Sequence, residues 1–282
     1  MGGAGKKSVP ALNTHFDPLQ AHSGRIHDYL LGGKDQYAVD REAGERIVGS
    51  AGEYQVAARA ARAFLIRAIR HLAADRGVGQ FVELGSGYPC PPNVHEAAQA
   101  CAPAARTLYV DNDPIVAAHG RALLADFRTS SGQTRFVHAD VIDTATIAGE
   151  MGGFLDLGEP IAICLGAVLE FVEYPHGVVQ GLAGTLPAGS YVVVSHITGD
   201  FDTEIVERAA AIYASCDIAF WPRTRDEVTR ILAGCELIEP GLVAPHRWRP
   251  DDDFEQRRAQ QLRSVPAHST DICCYAAVGR VP

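Results

Sequence analysis

The chain has no apolar run approaching the roughly 20 residues that a membrane-spanning helix needs. Met1 to Gln20 carries Lys6 and Lys7 without the apolar centre of a signal peptide. A cytoplasmic protein with no membrane partner is expected. Positive charge is in short supply: 25 lysines and arginines against 34 aspartates and glutamates leave a net charge of −9. That balance argues against general affinity for nucleic-acid phosphates, so no nucleic-acid partner is expected either. Lysine itself is nearly missing, with three residues in 282, and the basic charge is almost all arginine. The seven cysteines are odd in number and scattered, with no CxxC pair. They read as reduced thiols packed in a core, and no metal site is expected.

What is present is enough apolar residue, 47% of 282, to bury a substantial core in one large domain or in one domain plus an appendage. Residues 1–22 mix Gly, Lys, Pro and Asn without periodicity and are expected to be a flexible tail. Residues 23–77 form an expected N-terminal helical cap. Within it Ile26, Tyr29 and Leu30 share a helical face, Gly32 and Gly33 break the pattern, and helix resumes from Ala38 to Val48. From Glu53 to Leu72 the apolar residues Ala57, Ala61, Phe64, Leu65, Ala68, Ile69 and Leu72 keep helical spacing. Arg59, Arg62, Arg67 and Arg70 fall largely on the other side and read as the solvent face.

Residues 78–282 alternate strand and helix. Strands are expected at Gln80–Leu84, Thr107–Val110, Arg135–Ala139, Ile161–Leu165, Tyr191–Ser195, Glu236–Ile238 and Cys274–Val278. Helices are expected at Asn93–Cys101, Ile115–Phe127, from Thr144, at Asp202–Ser215 and at Glu227–Ala233. Such alternation predicts an α/β fold, a largely parallel sheet with helices on both faces, whose ligands bind at the carboxyl ends of the strands.

Three of those strand ends are acidic. Glu83-Leu84-Gly85-Ser86-Gly87 closes the first strand with glycines that let backbone approach a ligand closely. Asp111, 24 residues after Gly87, closes the second, where a carboxylate can accept both hydroxyl hydrogens of a ribose. Asp140, in His138-Ala139-Asp140-Val141, closes the third, in reach of an adenine amino group. A dinucleotide fingerprint would place a third glycine at Cys90, and Pro89, Pro91 and Pro92 make a poor pyrophosphate cradle. An acidic pocket suits a cationic sulfonium better than a diphosphate.

The stretch Arg25-Ile26-His27-Asp28-Tyr29-Leu30-Leu31-Gly32-Gly33-Lys34-Asp35, with Asp40-Arg41-Glu42 after it, resembles the signature of a bacterial family of S-adenosylmethionine-dependent methyltransferases formerly called a domain of unknown function. Similar pieces are Asn93-Val94-His95-Glu96, Tyr109 to Pro114, Ser195-His196, Pro222 to Val228 and Trp248-Arg249-Pro250. The resemblance runs from Arg25 to the C-terminus. It implies a class I, Rossmann-like sheet of seven strands, the last antiparallel, with extra N-terminal helices. It also implies S-adenosylmethionine as cofactor and methyl transfer to an acceptor, here expected to be a small molecule. Glu83 departs from the aspartate more usual in the family, and Tyr88 to Pro92 departs from a loop richer in threonine and serine.

The residues expected at the cofactor are Glu83, Gly85, Ser86, Gly87, Asp111, Asn112, Asp140, Val141, Leu165 and Gly166, joined by His27, Asp28 and Gly33 from a segment folded over the mouth. Candidates for a base are His196, Glu170 and His27, with Glu173 beside them. No Asn-Pro-Pro-Tyr follows the fourth strand, which disfavours methylation of DNA bases. Two other readings stay open at this point: a non-catalytic S-adenosylmethionine-binding regulator and an NAD(P)-dependent oxidoreductase.

Overall fold

The computed structural model describes residues 17–123, 132–250 and 272–282. Most of the expected tail, and the end of the helix expected to reach Phe127, lie outside them. Seven strands form one sheet: β1 (Gln80–Leu84), β2 (Arg106–Asp111), β3 (Gln133–His138), β4 (Ala162–Gly166), β5 (Tyr191–Ile197), β6 (Glu236–Leu237) and β7 (Cys274–Arg280). Their order is β3-β2-β1-β4-β5-β7-β6, parallel from β3 to β5, with β7 antiparallel to both of its neighbours, β5 and β6. The chain steps outward from β1 to β3 and then crosses to β4 on the other side of β1. That reversal opens a crevice at the carboxyl ends of β1 and β4.

Strand alternation assigns each residue a side of the sheet. Phe81, Tyr109, Cys164, Val193 and Val278 pack on one face with α3 (Gly52–Asp75), α4 (Val94–Gln99) and α5 (Pro114–Leu123). Val82, Leu84, Val110, Ile163, Leu165 and Val194 pack on the other with α6 (Thr144–Gly152), α7 (Pro175–Ala183) and α9 (Arg225–Ile231). A third cluster joins α1 (Ser23–Leu31), α2 (Ala38–Ser50) and α8 (Thr203–Ala214) to the first half of α3 around Tyr54, Tyr213 and Phe220. The helix α7, between β4 and β5, has no counterpart among the sequence-based expectations.

The bend between α1 and α2 has a local cause. Gly32 ends α1 in the left-handed region, at φ 90°, and the Gly33 N–H closes on the Asp28 carbonyl at 2.8 Å. A side chain on Gly33 would collide with the Asp28 carboxylate. Asp40, set in Asp40-Arg41-Glu42 with the composition of a surface run, is fully buried. Its carboxylate accepts the N–H groups of His22 (2.8 Å) and Tyr37 (3.0 Å), and Arg25 lies 3.7 Å away. Arg25 Nε in turn lies 3.1 Å from Asp113, just past β2, so the hairpin is tied to the sheet by a buried chain of charges.

The expected solvent face of α3 needs the same correction. Arg67 is buried and donates to the carbonyls of Pro245 (2.6 Å) and Trp248 (3.2 Å), while Arg59 donates to Leu30 O (3.0 Å). Long guanidinium arms carry charge past an apolar stripe to backbone acceptors, which helical spacing does not reveal. Trp248, fully buried, meets Phe64 edge-on at 5.2 Å and seals this end of the sheet.

Candidate functional site

A cleft in two joined chambers occupies the crevice. The inner chamber, of about 90 Å³, is walled by α1, α3 and the ends of β1, β2 and β4, through His22, Ser23, His27, Asp28, Arg62, Glu83, Gly85 to Tyr88, Asp111, Asn112 and Gly166 to Val168. The outer chamber, of about 490 Å³, is walled by Asp140, Val141, Ile142, Val172, Glu173, Tyr174 and Val178. Ser23, Gly85, Asp111, Asn112, Val168 and Phe171 border both. The size and the mixed lining are those of a cofactor site.

The glycine loop is built to leave backbone bare. Gly85 and Gly87 sit at φ 65° and 62°, and a Cβ on Gly85 would run into Val168 across the cleft. The N–H groups of Gly85 and Ser86 bond to Val110 O at 2.9 and 3.1 Å, which locks the loop to the end of β2. Asp111, the last residue of β2, accepts the N–H of Gly87 (2.8 Å) and of Asp113 (2.9 Å). Burial nevertheless pushes its carboxyl above the usual range, with those bonds working against the shift. Asn112, next to Asp111, donates its side-chain amide to Asp140 at 3.3 Å, so the ends of β2 and β3 are linked along the rim.

Glu83 shares the face of Phe81, which is the face of α3, and there it meets Arg62 at 3.0 Å. The same guanidinium donates to the carbonyls of Cys90 (2.8 Å) and Pro92 (2.9 Å), pinning the proline-rich loop. Burial raises the Glu83 carboxyl and Arg62 opposes it. Arg62 was read from the sequence as facing solvent. Its signal was available at the border of the stripe, one residue after Ala61 and three before Leu65, both of which line the same chamber. Tyr88 was also missed: it is 4% exposed, lines the chamber, and its hydroxyl has no hydrogen-bond partner among the described residues. Ser86 Oγ and Arg62 Nε are unpartnered in the same way.

His27 and Asp28 both line the inner chamber. The His27 pKa is lowered to about 4, by burial first and by Arg62 second, so the ring is neutral at pH 7. Asp28 accepts the Asp35 N–H at 3.1 Å, and burial raises its carboxyl. Gly33 backs Asp28 and does not line either chamber.

Three other expectations are corrected. Leu165 lies on the α6 and α7 face of β4, one residue out of phase with the cleft, and only its neighbour Gly166 lines the chamber. His196 belongs to β5, which runs two residues further than expected. Alternation turns its ring away from α3, where Nδ1 donates to Ile197 O (2.8 Å) and Nε2 accepts from Arg223 (3.0 Å). Burial holds its pKa down at about 4. Glu170 is turned inward by the short 3-10 turn Leu169–Phe171, which presents Phe171 to the cleft instead. Neither His196 nor Glu170 is among the residues that line the two chambers. Glu173 lines the outer chamber.

A seven-stranded sheet of this order, with acids at the carboxyl ends of β1, β2 and β3 around a glycine loop, is the arrangement of the class I, Rossmann-like methyltransferase fold. The chain belongs to the S-adenosyl methyltransferase family, whose model matches residues 10–282. It is similar to a protein of the DUF574 family from Streptomyces avermitilis, at 40% identity and a TM-score of 0.84, over 93% of this chain and 98% of that one. A candidate methyltransferase from Thermobifida fusca matches at 31% identity and a TM-score of 0.79, over 96% and 97% of the two chains. No curated protein matches it. The protein is an S-adenosylmethionine-dependent methyltransferase, and the oxidoreductase reading falls with the family match.

The unpartnered polar atoms fit that cofactor. Ser86 Oγ, Tyr88 Oη and Arg62 Nε supply the unpaired donors and acceptors that a charged amino-acid tail requires, and the carboxylates of Asp111 and Asp140 supply acceptors of the kind that ribose hydroxyls and an adenine amino group require.

Proposed function

We propose that the cleft binds S-adenosylmethionine with its nucleoside in the outer chamber and its amino-acid tail in the inner one, and that the methyl acceptor is a small molecule held against α1. Asp111 and Asn112 hold the ribose, Asp140 and Val141 the adenine, and Gly85 to Gly87 with Glu83 and Arg62 the tail. The cofactor supplies an electrophilic methyl group on a sulfonium. His27 takes the proton that an acceptor nitrogen or oxygen must lose. It is supported over His196 and Glu170 because its ring lines the chamber, is neutral, and has no hydrogen-bond partner among the described residues. Asp28 and Glu83 make the inner wall acidic, which favours a neutral or cationic acceptor over a phosphorylated one.

The observation that carries this reading is the meeting of Asp111, the glycine loop and His27 in one chamber. Calorimetric titration tests it: S-adenosylhomocysteine is expected to bind and NADH not to. Screening amines, phenols and carboxylic acids for S-adenosylhomocysteine release then identifies the acceptor class. With that acceptor, His27→Gln is expected to lower kcat on the order of 100-fold or more with cofactor affinity little changed. A variant that keeps full kcat would remove His27 from the base role.

A further inference from the structure

The motif Pro222 to Glu227 has no part in the cofactor contacts above, yet it holds the most heavily engaged guanidinium among the described residues. Arg223 Nη2 lies 2.7 Å from Val172 O and 3.0 Å from Glu173 O. Its Nη1 lies 3.0 Å from Leu169 O, 3.1 Å from Trp221 O and 3.0 Å from His196 Nε2. Three of these acceptors belong to one short segment, Leu169 to Glu173, whose other side forms the cleft wall through Phe171, Val172 and Glu173. The segment leaves β4 as a single 3-10 turn, too short to hold itself by helical bonds. Within the turn, Leu169 O also accepts the Val172 N–H at 3.1 Å. Two backbone bonds run beside the guanidinium, Trp221 N–H to Glu170 O at 2.7 Å and Arg223 N–H to Ile197 O at 3.1 Å.

We infer that Arg223 is the positioning residue of the cofactor cleft: its planar fork gathers the carbonyls of Leu169, Val172 and Glu173 and so fixes where Phe171 to Tyr174 stand over the nucleoside. His196 completes the arrangement as an acceptor, since a neutral ring at Nε2 takes a guanidinium hydrogen that a protonated ring would repel. Lysine cannot replace this fork, because one ammonium cannot address carbonyls on two sides of a turn at once. The inference rests on the reading of the cleft as the S-adenosylmethionine site.

The test uses the full chain, S-adenosylhomocysteine as probe, and amide hydrogen exchange. Arg223→Gln is expected to weaken S-adenosylhomocysteine at least tenfold in calorimetry and to speed exchange at the Phe171 to Glu173 amides in the ligand-free protein. Arg223→Lys is expected to fall between the two, and it carries the test if the glutamine variant does not fold. Arg67→Gln is the control for mere destabilisation, because Arg67 also gathers carbonyls, those of Pro245 and Trp248, away from the cleft. It is expected to lower the melting temperature and leave affinity within twofold. The inference is overturned if Arg223 variants fold with unchanged affinity and unchanged exchange, or if Arg67→Gln costs as much affinity. If the wild type binds no S-adenosylhomocysteine, the reading of the cleft fails, while the exchange of Phe171 to Glu173 still decides the role of Arg223.

Discussion

Asp111 accepts two backbone N–H groups, from Gly87 and from Asp113, and still borders both chambers. It therefore holds the glycine loop and has lone pairs to spare for a ribose. Asp111→Ala should weaken S-adenosylhomocysteine binding by about 1.5 to 3 kcal/mol, the range for charge-assisted hydrogen bonds, and unchanged affinity in calorimetry would refute the assignment. Glu170 is a buried carboxyl of the opposite kind, with Oε2 unpartnered and a pKa raised to about 8 by burial. Its folded-state pKa is above its unfolded one, so its contribution to stability is complete below about pH 4.5 and is lost as pH rises to about 8. Glu170→Gln keeps the shape and removes the charge. Its stability relative to wild type should climb by up to about 1.4 kcal/mol per pH unit across that window, read from thermal melts at pH 5, 7 and 9. A constant difference would mean that Glu170 is not the titrating group.

Elements show what patterns of residues reveal and what they hide. β1 was placed to the residue, and the acids after β2 and β3 were placed by the small or acidic residues that end each apolar run. The end of β5 was not, because Ser195-His196-Ile197 continues the ladder to β7 through polar residues that look like a loop. The hairpin α1–α2 was recognised by Gly32-Gly33, but its fastener was not, since Asp40 in Asp40-Arg41-Glu42 has the composition of a surface run. Its burial depends on partners far away in sequence, Arg25 and, through Arg25, Asp113. Removing one member leaves a buried charge uncompensated. Asp40→Ala should cost about 3 kcal/mol in denaturant unfolding and should speed amide exchange in Ser23–Ser50 more than in β1 and β4. A variant with wild-type exchange in α1 would show that the fastener is redundant.

At the scale of the molecule, the cleft draws its walls from both the N-terminal hairpin and the sheet, so ligand binding and the docking of α1 are linked. S-adenosylhomocysteine at 100 times its Kd should stabilise the protein by about 2.7 kcal/mol and slow amide exchange from Ser23 to Tyr37, while NADH should do neither. Stabilisation without protection of that hairpin would separate α1 from the site. The sheet order itself was legible only through the family resemblance, because alternation predicts a parallel sheet but not which strand neighbours which. One consequence of that order concerns synthesis. β7, the last of the seven described strands to be translated, is an interior strand that pairs with β5 through all seven of its residues and with β6 on its other side. Until Arg280 is made, a nascent chain carries Tyr191–Ile197, with its run of three valines, as an open template of unpaired amides. Through the interval between translating β5 and β7, that edge is thus open to pairing with another chain.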